Sequence, residues 1–506
     1  MLVNFIQGFT DIFTNPMCLV WMFIGVVLGI AFGCIPGLTG TVALTLCIPV
    51  IYTMGVYEAV ALIIGLYIGG CSGGLIAAIL INVPGTPASV ATAYDGHPMA
   101  MRGEAHRAMG IGIFYSFIGG LFSFLILFAV AEPLGRICET FGNKELFAIT
   151  FFALTLVSGV AGKDVFKGLV AMCIGFSLAL IGISAVDGTA RLTMGFRVLN
   201  NGLEMVPALI GFYAITELIK SCNTEQKSEL LNYTMHKGFG FTWKEFKAEF
   251  GNFVRSALIG TGIGIMPGIG GGTSNLLAYM AAKNSDKDPS RFGKGCMSGI
   301  VASETANNAS IGGALIPMLC LGIPGDGFTA VVIGCLMMKG LNPGPLFMTN
   351  SKNIVFLIFA CLLISNLFTI AVQYFFTKPF VKLLKVPKHI LLSVVIVMAT
   401  VGAIGINNRV FDAWTVLIFG ILGFIFVKFD IPMVPTILGF ILGGDCEGYL
   451  RIALQVTKGS IKPFFTSPVS CVFIVVGIVS ILLAPWFASR ANRSEKKAAA
   501  AAEESA

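Results

Sequence analysis

The chain repeats itself. GCIPGLTG at 33–40 returns as GIMPGIGG at 264–271, GGLIAAILINVPG at 73–85 as GALIPMLCLGIPG at 313–325, and MVPALIGF at 205–212 as MVPTILGF at 433–440. The order is the same in both halves, with offsets of 231, 240 and 228 residues. From Pro36 to Pro84 is 48 residues and from Pro267 to Pro324 is 57, and the hydrophilic insert Lys283–Arg291 matches the extra nine. A duplicated apolar chain with Gly/Pro interruptions in corresponding places is the pattern of a secondary transporter made of two repeats. Its interruptions point to the binding site.

Composition excludes a soluble protein. Of 506 residues, 56% are apolar and 12% charged, against roughly 25% charged in soluble domains. Seven apolar stretches fill the first half, from 16–33 to 203–219, and eight fill the second, from 253–282 to 467–489. With about 20 helical residues needed per bilayer core, this predicts an all-α polytopic integral membrane protein of about 11–14 membrane segments, some broken or re-entrant. The first span begins near Pro16 without a basic n-region or small-residue cleavage site, and reads as an uncleaved helix. The thirteen Cys are scattered singly through apolar spans and read as packing residues. The net charge of +7 comes from short loops, where basic residues act as orientation signals, and does not indicate nucleic acid.

Five segments follow: a first transmembrane repeat (1–220), a polar cytoplasmic linker (221–252), a second repeat (253–450), a C-terminal transmembrane segment (451–489) and a charged tail (490–506). An odd number of apolar segments in the first half would turn the second half upside down. Loop 378–389 carries Lys378, Lys382, Lys385 and Lys388, whereas 132–145 carries Arg136 and Lys144. Basic enrichment marks the cytoplasmic side, so inverted repeats are expected.

Chemistry is expected at the interruptions. Proline removes a donor and glycine permits positive φ, so a helix must break at 33–40 and at 264–271. Inside a membrane, broken backbone is tolerated where it is buried in protein or lines a watery cavity. Gly37, Gly40 and Thr41, with Gly268, Gly271 and Thr273, are the expected cation-binding groups, joined by Glu304. Na⁺ suits hard oxygens, while a proton would need a carboxylate such as Glu304 or Asp326. No other cofactor is expected.

The second pair of breaks suits an anion, because restarting helices aim free N–H groups at the gap. The expected substrate-binding residues are Asn82, Pro84, Gly85, Thr86 and Ser89 in the first half, and Pro324, Gly325, Asp326 and Thr329 in the second. Asn307 and Asn308 join them from the run Ser303–Ser310, which is costly in lipid and must face a partner or water. Ordinary turn chemistry is the alternative at the Pro-Gly breaks, and interhelical hydrogen bonding at the asparagines. The polar stretch Asp95-Gly-His-Pro98, followed by Arg102, Glu104, His106 and Arg107, reads as a solvated loop.

In the doubled Pro-Gly motifs, PGTPASVATAYDGHPMAMRG (84–103), SETANNASIGGALIPMLCLGIPGD (303–326) and GLNPGP (340–345), the chain resembles the large membrane subunit of the tripartite tricarboxylate transporter family, from about residue 15 to 485. The resemblance implies a bacterial inner-membrane symporter taking up organic acids, often di- or tricarboxylates, with Na⁺ or H⁺. It also implies two partners, a small membrane subunit of about four spans and a periplasmic solute-binding protein. A stand-alone anion carrier or channel is the alternative. An intramembrane enzyme would need a catalytic His or paired Asp inside spans, and the sequence offers neither.

Overall fold

Apolar runs become helices, and Pro-Gly punctuation ends them inside the run rather than between runs. The computed structural model describes residues 2–160, 164–184, 186–222, 238–384 and 388–483. The first half forms α1 (Leu2–Thr14), α2 (Pro16–Cys34), α3 (Gly40–Thr53), α4 (Val56–Ile81), α5 (Val90–Met99) and α6 (Ala105–Cys138). Then come α7 (Asn143–Val160), α8 (Val165–Ala179), a short antiparallel pair β1 (Gly182–Ile183) and β2 (Ala190–Arg191), α9 (Met205–Ile210) and α10 (Thr216–Cys222). The second half runs through α11 (Trp243–Ile265), α12 (Gly270–Ser285), α13 (Met297–Leu321), α14 (Gly327–Met338), α15 (Phe347–Asn350) and α16 (Lys352–Leu383). It continues with α17 (Lys388–Asn407), α18 (Val410–Lys428), α19 (Met433–Val456) and α20 (Lys462–Thr466).

Among the described residues the protein is all-α apart from that β-pair, and it is a multi-pass membrane protein. Among the described residues, 5 helices are long and apolar enough to cross a bilayer, and α3, α8 and α14 are among the shorter apolar helices of 10–17 residues. The polar linker enters α11 through a capping box in which Thr242 and Glu245 exchange hydrogen bonds, the Thr242 N–H donating to Glu245 at 2.7 Å. Residues 223–237 of that linker and the tail 490–506 lie outside the described residues.

The chain divides into two compact units, one of Met1–Glu139 with Val206–Phe424, the other of Thr140–Met205 with Ile425–Ala506. In the first, α2 lies along α4 and α11 along α13. Glycine permits both close approaches. A methyl group on Gly29 or Gly33 would stand 2.6 Å from the carbonyl oxygen of Leu66 or Gly70, and one on Gly260 or Gly264 would stand 2.4 Å from that of Ala306 or Ser310. These are the same contacts shifted by the repeat offsets. Each half also lends a long helix to the other: α6 packs on α13, and α16 on α4.

In the second unit α7 and α8 pack on α19. Arg191 and Arg451 hold Glu447 at 2.7 and 3.1 Å, and Arg451 reaches Asp187 at 2.5 Å.

Candidate functional site

The first pair of breaks has one backbone design used twice. α2 ends at Ile35 and α11 at Met266, both extended (φ −84, ψ 117 and φ −78, ψ 120), and each cap N–H returns to the carbonyl three residues back. Gly37 (φ 89) and Gly268 (φ 73) then turn the chain through the left-handed region, which is what glycine is for at both positions. The helices restart differently. Thr39 caps α3, its hydroxyl accepting from Val42 N at 3.4 Å. At the equivalent place in α12 stands Gly270, with φ 66, preceded by Ile269 with no side-chain cap.

The second pair is also matched. α4 ends at Asn82 and α13 at Gly322, both left-handed (φ 55 and φ 72). Past Pro84 and Pro324, the next glycines are wedged: a methyl group on Gly85 would stand 2.1 Å from the Gly33 carbonyl oxygen, and one on Gly325 2.8 Å from that of Gly264. In the first half Ser89 turns back on Thr86, accepting from its N–H at 3.3 Å and donating to its carbonyl at 2.9 Å. In the second, Thr329 does the same to Asp326, accepting from its N–H at 2.9 Å. The aspartate adds what threonine lacks, a carboxylate. Its Oδ1 receives the Thr329 N–H at 2.7 Å and hydroxyl at 2.8 Å, and its Oδ2 receives the Tyr67 hydroxyl at 3.0 Å.

The breaks interlock across the repeat. α3 packs on α14, while α12 packs on the short turn Pro87–Ser89, so each half's restarted helix meets the other half's Pro-Gly break. At one contact, Phe328 presses on Gly40 and Gly70 and stacks on Tyr67 with ring centroids 4.5 Å apart. At the other, methyl groups on Gly271 and Gly272 would stand 3.2 and 3.3 Å from Ala88 and Pro87. Asp326 lies against the same turn, 2.8 Å from a methyl on Gly270. Substrate-binding and cation-binding candidates from both halves thus meet at the start of α12.

The two asparagines separate. Both amide groups of Asn308 are engaged: its oxygen accepts from Ser72 at 2.6 Å and its nitrogen donates to the Glu304 carbonyl at 3.2 Å. Asn307 donates to the Cys71 carbonyl at 3.0 Å, while its Oδ1 is buried without a partner, 3.1 Å from a methyl on Gly271.

Glu304 is fully buried and accepts from Thr92 at 2.5 Å and Ser116 at 2.8 Å, joining α13 to α5 and α6. Those partners are not the glycine breaks with which the sequence grouped it. Asn82 is exposed, and its backbone conformation terminates α4. Thr41 and Thr273 are half-buried on the first turns of α3 and α12.

Asp95 corrects the reading of 95–98 as a solvated loop. It is 0% exposed within α5, and its Oδ1 accepts from Gly293 N, Gly295 N and Cys296 N at 2.9, 2.8 and 2.7 Å. Tyr279 donates to its Oδ2 at 2.9 Å. A first-half carboxylate therefore clamps the second-half loop that leads into α13, with Arg102 adding a bond to the Gly295 carbonyl at 2.9 Å. Backbone donors leave no mark in a sequence, which is why polar residue types alone suggested solvent.

Sequence reading also missed Tyr67, Ser72, Thr92, Ser116 and Asn275. Asn275 accepts from Ala91 N at 2.9 Å and donates to the Ser303 carbonyl, tying α12 to α5 and α13. Lone polar groups in long apolar runs were the available signal, since in lipid each must find a partner.

Set beside known proteins, the chain matches the model described as "Tripartite tricarboxylate transporter TctA family" over residues 19–438. It is 30% identical over 500 residues, 98% of each chain, to an Agrobacterium vitis protein described as an uncharacterized 52.8 kDa protein in the TAR-I ttuC' 3' region. A second Agrobacterium vitis protein, from the TAR-II ttuC' 3' region, is 31% identical over 236 residues, 47% of this chain and 98% of its own. No solved structure matches.

Proposed function

The chain belongs to the tripartite tricarboxylate transporter TctA family, and from that premise we propose that it is the large membrane subunit of a binding-protein-dependent importer of a di- or tricarboxylate. In this reading it lies in a bacterial inner membrane and draws on a Na⁺ or H⁺ gradient. Its partners are a small four-span membrane subunit and a periplasmic solute-binding protein. The observation that carries the proposal is the reciprocal packing of the breaks, α3 on α14 and α12 on Pro87–Ser89. Two repeats that lock break against break hold their helix starts in one place, and can rock about it to alternate access.

The carboxylate sits against those helix starts, with Thr86, whose buried hydroxyl has no partner, as the side-chain donor. An anion leaving water needs several donors, and helix N-termini supply them without a buried Lys or Arg. The repeats are inverted in this reading, so cysteine labelling should place loop 132–145 outside and loop 378–389 inside; labelling of both from one face would remove that part of the proposal.

Uptake by proteoliposomes holding both membrane subunits, with binding protein outside, tests the whole. At micromolar carboxylate, uptake should follow the imposed cation gradient and collapse when the binding protein is omitted. Full uptake by this chain alone would make it a stand-alone carrier.

A further inference from the structure

The two halves differ in charge at the place where they otherwise match most closely. First-half Thr86 and second-half Asp326 occupy equivalent positions, each exchanging hydrogen bonds with a hydroxyl three residues on. The helix opposite Asp326 differs in step: where α3 begins with the capping side chain of Thr39, α12 begins with Gly270, and no side chain caps it. A carboxylate has therefore been placed at the crossing where the proposed substrate is itself an anion. Among the described residues, no Lys or Arg is paired with Asp326.

Three donors reach that carboxylate, from Thr329 N–H, Thr329 Oγ1 and Tyr67 OH. All point toward the oxygens, an arrangement that the ionised form satisfies. A carboxylate offers about four lone-pair sites, so acceptor capacity remains. Asp326 is half-buried, and so reachable. A second oxygen faces the neighbouring glycine of that turn: Asn307, on α13, is 1% exposed, its Nδ2 donates to the Cys71 carbonyl, and its Oδ1 has no partner and faces Gly271. A buried acceptor with no donor is costly in lipid unless a ligand satisfies it. Carboxylate and amide oxygens are hard ligands of the kind that take alkali and alkaline-earth cations.

We propose that Asp326 and the Asn307 amide oxygen, on either side of the Gly270–Gly271 turn, hold the coupling cation, and that it is Na⁺. This deepens the carrier reading and rests on it. The cation cancels the charge of Asp326, and the carboxylate substrate then binds beside it without repulsion. Coupling follows from electrostatics alone, because each ion lowers the cost of the other. The first-half crossing, with Thr86 in the corresponding place, carries no such charge and needs no cation. Glu304, which the sequence placed in the cation set, is held by hydroxyls on α5 and α6 and by the side chain of Asn307.

The test uses the purified full chain, without substrate, melted in NaCl, KCl or choline chloride of equal ionic strength. Na⁺ should raise the melting temperature saturably and K⁺ or choline should not. Asp326→Thr, which copies the first half, should abolish the Na⁺ response. Asn307→Ala should raise the Na⁺ half-saturation about tenfold or more, and Glu58→Gln, on the first turn of α4 where the carboxylate accepts from Asn15 at 2.5 Å, should leave it unchanged. Asn307→Ala alone decides the matter if Asp326→Thr does not fold. No saturable Na⁺ response in the unaltered chain would overturn the proposal, as would an intact response in both Asp326→Thr and Asn307→Ala, or its loss in Glu304→Gln instead. A Na⁺ response at Asp326 without carboxylate uptake would keep this site and discard the carrier reading. Uptake that keeps its Na⁺ dependence in Asp326→Thr would do the reverse.

Discussion

The pair of breaks in the first half and the pair in the second share a backbone and differ in side chains. Ile35 and Met266, Gly37 and Gly268, Asn82 and Gly322, and Gly85 and Gly325 adopt matching conformations or make matching contacts. Thr39 and Thr86 in one half are Gly270 and Asp326 in the other. Duplication supplied the geometry, and divergence put one charge into a frame built of neutral groups. The positions that stayed alike are those where sterics leave little choice. The positions that changed are those with room to interact.

The strongest way to break this comparison is to fill its tightest points. Gly85→Val and Gly325→Val should each destabilise the protein by about 3 kcal/mol, read as a matched fall in unfolding temperature in detergent. A large loss at one position and none at the other would mean that the halves are not equivalent. Next in size is Asp95→Ala, which strands three backbone N–H groups and Tyr279, at about 2 kcal/mol. It should also expose 286–295 to proteolysis, whereas a solvated Asp95 would give no change. The other repeat has no such carboxylate, since Cys335 stands at the place corresponding to Asp95.

Much of the frame was legible in the chain. The echoes located all four breaks, and Thr86–Ser89 and Asp326–Thr329 were singled out as units. What could not be read was which break meets which. Tyr67 and Asp326 lie 259 residues apart, and their bond depends on how two helices cross rather than on any local pattern. Asn307 and Asn308 looked interchangeable, yet one position on a helix is about a quarter turn. That rotation gives Asn308 to Ser72 and leaves an oxygen of Asn307 facing the α12 turn. Asp95 was misread because its partners are backbone groups.

The asparagines provide a sharper, smaller test. Thr86→Ala in the proposed substrate site, which removes a hydroxyl that has no partner in the protein, should raise the carboxylate half-saturation roughly tenfold, about 1.4 kcal/mol, with the fold intact. Asn308→Ala should instead lower the unfolding temperature, since it orphans Ser72, and leave half-saturation nearly unchanged. The reverse pattern would exchange their roles. Smallest of all is Asp286→Asn in the exposed insert that only the second half carries. The Asp288 N–H, donating at 2.9 Å, holds the Asp286 carboxyl below the usual range, with Arg291 assisting at 2.6 Å. The lowered value means a contribution present above the ordinary carboxylate pKa and lost as pH falls through the folded one. Because the Arg291 partner is solvent-exposed, the change should stay within about 0.5 kcal/mol at neutral pH.

At the crossing of α12 with Pro87–Ser89, one half's restarted helix meets the other half's break. Ala88 and Gly271 face each other there, the Ala88 Cβ 3.2 Å from a methyl built on Gly271, so a shift of a few tenths of an ångström apart brings the pair to the roughly 3.5–4.5 Å span of a disulfide. The chain with Ala88→Cys and Gly271→Cys should form that bridge under mild oxidant, identified by peptide mass mapping. Carboxylate uptake into proteoliposomes should stop when it forms and return on reduction. A bridge that forms without affecting uptake, or cysteines that never join, would contradict the claim that the two breaks build one transport site.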